Sequence, residues 1–89
     1  MKELTPEQYD LIQRYYPTVM DTDTNLTGFL LRVLQEIESR GNIVQVTLCL
    51  ASTCSIHRIK TQKRIYCEHT DLNTALVTAI IEYIKETLL

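Results

Sequence analysis

Apolar residues recur at helical spacing in two long stretches of the chain. The first stretch, residues 25–40, keeps the spacing i, i+3, i+4 and i+7, which predicts an amphipathic helix with one apolar stripe. Its apolar positions are Leu26, Phe29, Leu30, Val33, Leu34 and Ile37. Gly41 follows as a stop signal, because glycine readily adopts the left-handed conformation that ends helices. The second stretch predicts a helix over residues 71–88, capped by Thr70 or Asp71.

The last helix has more apolar surface than one sheet can cover. A first stripe consists of Leu72, Ala75, Leu76, Ala79, Ile80 and Tyr83, and a second stripe consists of Val77, Ile81, Ile84 and Leu88. Monomers rarely leave such a stripe exposed. Either an N-terminal arm covers it with Tyr9, Ile12 and Tyr16, or the same helix of a second chain pairs with it across a two-fold axis. We expect a homodimer, with the second stripe as the interface.

The N-terminal arm, residues 1–17, contains a short helix with a clear start. Thr5 stands at the N-cap, Pro6 at the first helical position and Gln8 three residues after Thr5, which is the pattern of a capping box. The helix must end near Tyr15, since Pro17 disfavours helical geometry in the residue before it. The linker 17–24 then offers three alternative caps for the next helix, namely Asp21, Asp23 and Thr24.

Between the long helices, alternating apolar and polar residues predict three strands. Residues 43–50 form the first, with Val44, Val46, Leu48 and Leu50 on its buried face. Residues 51–55 read as a turn, and Ser55–Lys60 with Lys63–Glu68 as a hairpin whose loop is longer than two residues. Closure near residues 61–62 places Cys54 opposite His69 and Ile56 opposite Cys67.

These elements predict one α+β domain in the order α-α-β-β-β-α. A three-stranded antiparallel meander, with both long helices packed on one face, makes a two-layer sandwich. The α-β-β-β-α core spans residues 21–89, after the arm. Eighty-nine residues leave no room for a second domain.

Composition and charge exclude several classes of protein. The net charge is −2, which argues against a general binder of nucleic acid or of anionic membranes. The two glycines are too far apart for a phosphate-binding loop or a dinucleotide fingerprint. The N-terminus is too polar for a signal peptide, and no apolar run approaches the roughly 20 residues of a membrane span. We expect a soluble cytoplasmic protein.

Cysteine and histidine residues raise two chemical hypotheses. Four zinc-type ligands occur as Cys54, His57, Cys67 and His69, but C-x-H on a strand is not the compact spacing of a zinc knuckle. Cys67 and His69 would lie on one strand face as a candidate activated thiol, although no oxyanion-hole loop is evident. We therefore expect no enzyme, metal or cofactor, and free thiols, with Cys49 near the sheet interior.

The predicted hairpin tip is basic. Arg58, Lys60, Lys63 and Arg64 lie within seven residues, and Tyr66 follows them. Such a hairpin, residues 57–66, can bind phosphate or single-stranded nucleic acid. The alternative, which we favour, is a solvated hairpin whose charges discourage edge-to-edge pairing. Double-stranded RNA-binding domains share the α-β-β-β-α order, but the basic start of their last helix is absent, since this helix opens Thr70-Asp71-Leu72-Asn73.

Two segments resemble a known family. DTDTNLTGFLLRVL, residues 21–34, and DLNTALVTAIIEYI, residues 71–84, flank the meander. This arrangement resembles the small phage "ABA sandwich" family over residues 21–86, in its acidic and threonine-rich helix start and its Ala-containing final helix. The resemblance implies a phage or prophage accessory protein of unassigned activity, and it carries over no functional residues. The sequence as a whole therefore predicts a small interaction protein that binds a protein partner.

Overall fold

The computed structural model describes residues 4–19 and 25–88, and its elements follow the predicted order α-α-β-β-β-α. They are α1 Pro6–Tyr15, α2 Leu26–Ser39, β1 Asn42–Thr47, β2 Ser52–Arg58, β3 Lys63–His69 and α3 Leu72–Thr87. The α+β fold class, with a three-stranded antiparallel sheet and helices packed on it, is confirmed.

The sheet is a meander in which β2 lies between β1 and β3. Alternate strand residues point to one face, the inner face, and belong to the hydrophobic core: Val44, Cys54, Ile56, Ile65 and Cys67. Helix α2 packs against β1 and α3, while α3 packs against β2 and β3. The opposite face, called the outer face below, therefore has no described helix over it.

Local capping signals fix where the helices begin. The Thr5 side chain accepts a hydrogen bond from the Gln8 backbone, and the Gln8 side chain accepts one from the Thr5 backbone, so the capping box is confirmed. Asp71 caps α3 as predicted. The cap of α2 is Asn25, whose side chain accepts from the Gly28 N–H at 2.8 Å. The prediction that Asp21, Asp23 or Thr24 caps α2 is therefore wrong, because the side chain of Asn25 directly precedes the helix and takes this role; these three residues lie outside the described residues.

Helix α1 docks onto the other two helices. It packs against α3, and its Ile12 and the following Tyr16 are completely buried. The Tyr9 ring stacks on Phe29 of α2 at 6.2 Å, and the Arg40 guanidinium lies 4.7 Å from the centre of the Tyr16 ring. Burial raises the pKa of Tyr16, whose hydroxyl has no hydrogen-bond partner among the described residues. The arm therefore folds back onto its own chain.

This docking changes the expected oligomer interface. Ile84 is completely buried within the single chain, so the prediction that it faces a second chain is wrong. Val77, Ile81 and Leu88 are half-buried and pack against the core. The arm thus contributes cover to α3, as one of the two sequence alternatives proposed, and a dimer through the remaining three residues stays a prediction.

Strand β1 is shorter and more exposed than its alternation predicts. It ends at Thr47, and the chain turns over residues 48–51. Val44 is half-buried, but Val46, Leu48 and Leu50 are exposed, so the predicted buried face is wrong for these three residues. The physical reason is that β1 is an edge strand that only α2 covers, whereas α3 covers β2 and β3.

The hairpin closes one residue earlier than predicted. Strand β2 already begins at Ser52, where a turn was expected, and residues 59–62 form the loop. Gln62 has a φ of 60°, and its N–H donates to the Arg58 carbonyl at 2.8 Å. The observed register places Cys54 opposite Cys67 and Ser52 opposite His69, which corrects both predicted pairs.

Candidate interaction surfaces

The four zinc-type side chains do not converge. Cys54 and Cys67 are direct neighbours on the inner face, but His57 lies on the outer face opposite Arg64. His69 is exposed, and its Nδ1 accepts a hydrogen bond from the Asp71 backbone N–H at 2.9 Å. Within residues 4–19 and 25–88, no group of three or more His, Cys, Asp or Glu residues could hold a metal ion. The zinc hypothesis gains no support from this geometry.

Burial disfavours the thiolate form of Cys54 and Cys67. Burial, together with the neighbouring Cys67 thiol, raises the pKa of Cys54 to about 12. Burial, and then the Glu82 carboxylate, raise the pKa of Cys67. Because the thiolate is the nucleophile, raised pKa values disfavour thiol catalysis by the Cys67 and His69 pair. Cys49 is exposed in the turn after β1, so its expected place near the sheet interior is wrong.

The five residues of the basic hairpin do not form one group: four of them divide between the two sides of the sheet, and one lies in the loop. Arg64 and Tyr66 lie on the outer face, and His57 joins them as the cross-strand partner of Arg64. Arg58 and Lys63 form the pair that closes the hairpin and have inner-face parity, while Lys60 is in the loop. None of the four cations has an ion-pair partner among the described residues. The basic residues are therefore close in sequence, but the sheet separates Arg64 on the outer face from Arg58 and Lys63 on the other side.

The outer face has three rows across the strands. The row nearest the hairpin tip is Ile43, His57 and Arg64; the middle row is Gln45, Ser55 and Tyr66; the far row is Thr47, Thr53 and Glu68. Tyr66 is 56% exposed, and its immediate cross-strand neighbour is the small side chain of Ser55. The ring of Tyr66 is thus accessible from solvent beside a short polar residue.

A second candidate surface, which is apolar, was not predicted from the sequence. The β1 edge surface, as we name it, comprises exposed aliphatic side chains on the helix side of β1, in the turn after it and on the neighbouring part of α2: Leu31, Val46, Leu48 and Leu50. Leu50 is fully exposed, and Leu48 is 67% exposed. A shallow groove of about 190 Å³ runs between α2 and β1 beside it. This surface was not predicted because the alternation of apolar and polar residues in 43–50 is also typical of a strand with one buried face.

A cavity of about 240 Å³ lies where the first turns of the three helices meet. Most of its polar lining is already engaged in hydrogen bonds inside the protein. These residues are Thr5 with Gln8, Asp71 with Thr74, and Asn73 with Thr27. The cavity therefore offers few unengaged polar groups that would orient a ligand, and its residues act chiefly as helix caps.

Comparisons with protein-family models, with curated proteins and with solved structures gave no match. Separately, no helix in the described part of the chain is long and apolar enough to cross a membrane. Function must therefore be argued from the surfaces themselves.

Proposed function

We propose that this chain is a non-enzymatic interaction protein that binds another polypeptide through the β1 edge surface. The observation that carries the proposal is the concentration of exposed aliphatic side chains there, led by Leu48 and Leu50. Contiguous exposed apolar side chains mark protein–protein contact sites. An edge strand adds a row of unpaired backbone N–H and C=O groups, to which a further strand can bind.

The occupant we propose is a second copy of this chain. Strand β1, Asn42–Thr47, has no charged residue, so pairing it with itself in antiparallel orientation sets no like charges opposite each other. The other edge strand, β3, carries Lys63, Arg64 and Glu68, and charges on an edge discourage pairing. Charge thus favours β1 over β3 as the self-pairing edge.

Two-fold symmetry would also join the grooves between α2 and β1. In an antiparallel β1–β1 pair, the same residues of both copies meet around the axis. Val44 and Val46 have helix-side parity and line the groove with Leu31 and Leu34 of α2, while the polar side of the groove is formed by Gln35 and Glu38. The two grooves would then form one seam between the two α2 helices, with an aliphatic floor, beneath a continuous six-stranded sheet.

The dimer is expected to be weak. Burying a leucine side chain contributes about 1.5–3 kcal/mol, and Leu48 and Leu50 supply two from each copy, so the four together contribute about 6–12 kcal/mol. Association opposes this with a cost of at least about 4 kcal/mol. The remainder of at most about 8 kcal/mol corresponds to a dissociation constant no tighter than about 1 micromolar. The phage-type accessory role implied by the resemblance over residues 21–86 is compatible with such an assembly, and it remains a proposal.

Sedimentation velocity over a concentration series from low to high micromolar tests this function. Wild-type protein should shift from monomer to dimer. Leu48→Lys should stay monomeric, because it places a charge in the apolar contact. Ile59→Lys is the matched control, since Ile59 is an exposed aliphatic residue in the hairpin loop. A wild-type monomer at every concentration, or equal effects of both substitutions, would contradict the proposal.

A further inference from the structure

We propose that the outer face of the sheet binds single-stranded nucleic acid, with Tyr66 as the base-stacking residue and Arg64 as a phosphate contact. This site is separate from the β1 edge surface and does not depend on self-association. It differs from the hairpin hypothesis drawn from the sequence, because the structure selects Arg64, Tyr66 and His57 as one group and sets Arg58 and Lys63 apart.

An aromatic ring is accessible on the uncovered face of the sheet. Tyr66 is 56% exposed, although its strand neighbour Ile65 is buried in the core on the other face. Its cross-strand neighbour Ser55 is itself buried, so a base would contact the part of the Tyr66 ring that faces solvent. Base–aromatic stacking is the main sequence-tolerant contact in single-strand recognition.

The hairpin carries a local positive charge. Residues 57–69 contain four basic side chains and one acidic side chain, Glu68, which gives +3 in a chain whose net charge is −2. Arg64 lies next to Tyr66 on the outer face, and Lys60 lies in the loop beyond it. Neither cation has an ion-pair partner among the described residues, so both are available for phosphate groups.

The polar side chains of the outer face are ordered along the strands. Glu68, the acidic residue of the outer face, lies in the row farthest from the hairpin tip, whereas Arg64 lies in the nearest row. Between them, the exposed Gln45 shares the row of Tyr66 and offers a hydrogen-bonding amide, while Ser55 in the same row is buried. A single nucleic-acid strand lying across this face would place a base on Tyr66 and its phosphates toward Arg64 and the hairpin tip.

The uncovered sheet face, which presents neither a helix nor a protruding ribbon among the described residues, favours a single strand over a duplex. A duplex presents its bases only in grooves, which proteins enter with a helix or a protruding ribbon. Unpaired bases, in contrast, can lie flat on an open sheet and stack on aromatic side chains. DNA and RNA both provide this chemistry, and the experiment separates them.

Fluorescence anisotropy with labelled 12-nucleotide oligo-dT and oligo-U at low salt tests the proposal. Wild-type protein should bind at least one of them saturably, and the tighter one identifies the source. Tyr66→Ala should weaken binding by about 5- to 150-fold, the range expected for one stacked base. Tyr66→Phe keeps the ring and should bind within about threefold of wild type.

Charge variants complete the test. Each phosphate contact with a single strand changes the slope of log K against log salt by about −0.7, so Arg64→Gln should make the slope shallower by about 0.7. Lys85→Gln on α3 is the matched control, because Lys85 is exposed and lies in the last turn of a helix on the opposite side of the sheet. Circular dichroism confirms that each variant is folded.

Three results would overturn the proposal. They are the absence of saturable binding to either oligonucleotide, unchanged binding by Tyr66→Ala, and an equally strong effect of Lys85→Gln. Binding of a matched duplex as tightly as the single strand would also contradict it, because it would show attraction by charge alone. These results do not test the dimer, because the dimer is probed by Leu48→Lys on the β1 edge surface and oligonucleotide binding is probed by variants of Tyr66 and Arg64.

Discussion

Asn42 joins three elements at the start of β1, and its removal should be costly. The side chain is only 7% exposed. Its Nδ2 donates to the Ile37 carbonyl at the end of α2, at 2.7 Å, and to the Tyr83 hydroxyl on α3, at 3.0 Å. These bonds fix β1 relative to the helices, and they therefore also set the geometry of the groove beside the β1 edge surface.

The expected magnitude follows from these contacts. Asn42→Ala removes two hydrogen bonds worth about 1 kcal/mol each, and leaving their buried partners unsatisfied adds up to about 2 kcal/mol. We expect the free energy of unfolding to fall by about 2–4 kcal/mol, which corresponds to a melting temperature lower by roughly 10–25 °C. Tyr83→Phe removes only one bond and should cost about 1 kcal/mol.

Urea unfolding, followed by circular dichroism at low protein concentration, measures these changes. The control is Gln45→Ala, an exposed amide on the same strand, for which we expect less than about 0.5 kcal/mol. The double variant Asn42→Ala with Tyr83→Phe should lose less free energy of unfolding than the sum of the two single variants, because both substitutions remove the Asn42–Tyr83 hydrogen bond. An Asn42→Ala cost no larger than that of Gln45→Ala would refute the reasoning.

Three further predictions concern capping, pH and thiol access. Thr5→Ala should lower the free energy of unfolding by about 1 kcal/mol in urea unfolding, because it removes the capping box of α1. Burial raises the folded-state pKa of Cys54 from 9.0 to about 12. The stability that the protonated Cys54 thiol contributes is complete below pH 9 and is lost as the pH rises from 9 to 12. Between these pH values, the free energy of unfolding should therefore fall more slowly with pH in Cys54→Ala than in wild type. In dilute native protein, a thiol reagent should modify Cys49 first and Cys54 last.

Local signals in the sequence were sufficient to predict where α1 and α3 begin and where α2 ends, although the cap of α2, Asn25, was missed. The capping box at Thr5, the stop at Gly41 and the cap at Asp71 each act within a few residues, and all three are present in the structure. Antiparallel order followed from short connections between strands. Element type and order therefore depended on information that a single sequence contains.

Burial of individual strand residues depended on tertiary packing, which the sequence does not contain. Val46 and Leu48 alternate like residues of a buried strand, yet Val46 is exposed in a shallow groove beside α2 and Leu48 lies beyond the end of β1, so the β1 edge surface was missed. The register of the hairpin depended on a loop in which Gln62 adopts a positive φ without being glycine. The docking of α1 onto α3 also depended on contacts between segments far apart in the chain, so pattern alone left arm and dimer as alternatives and favoured the dimer.

Amide hydrogen exchange by mass spectrometry, measured at low and high micromolar concentration, tests the central claim most directly. If two copies pair through β1, peptides that cover residues 42–50 should become protected at high concentration, while peptides from β3 and α3 keep their exchange rates. Unchanged exchange in residues 42–50 in a protein that dimerises, or protection confined to α3 around Val77 and Ile81, would contradict the assignment of the β1 edge surface as the binding site.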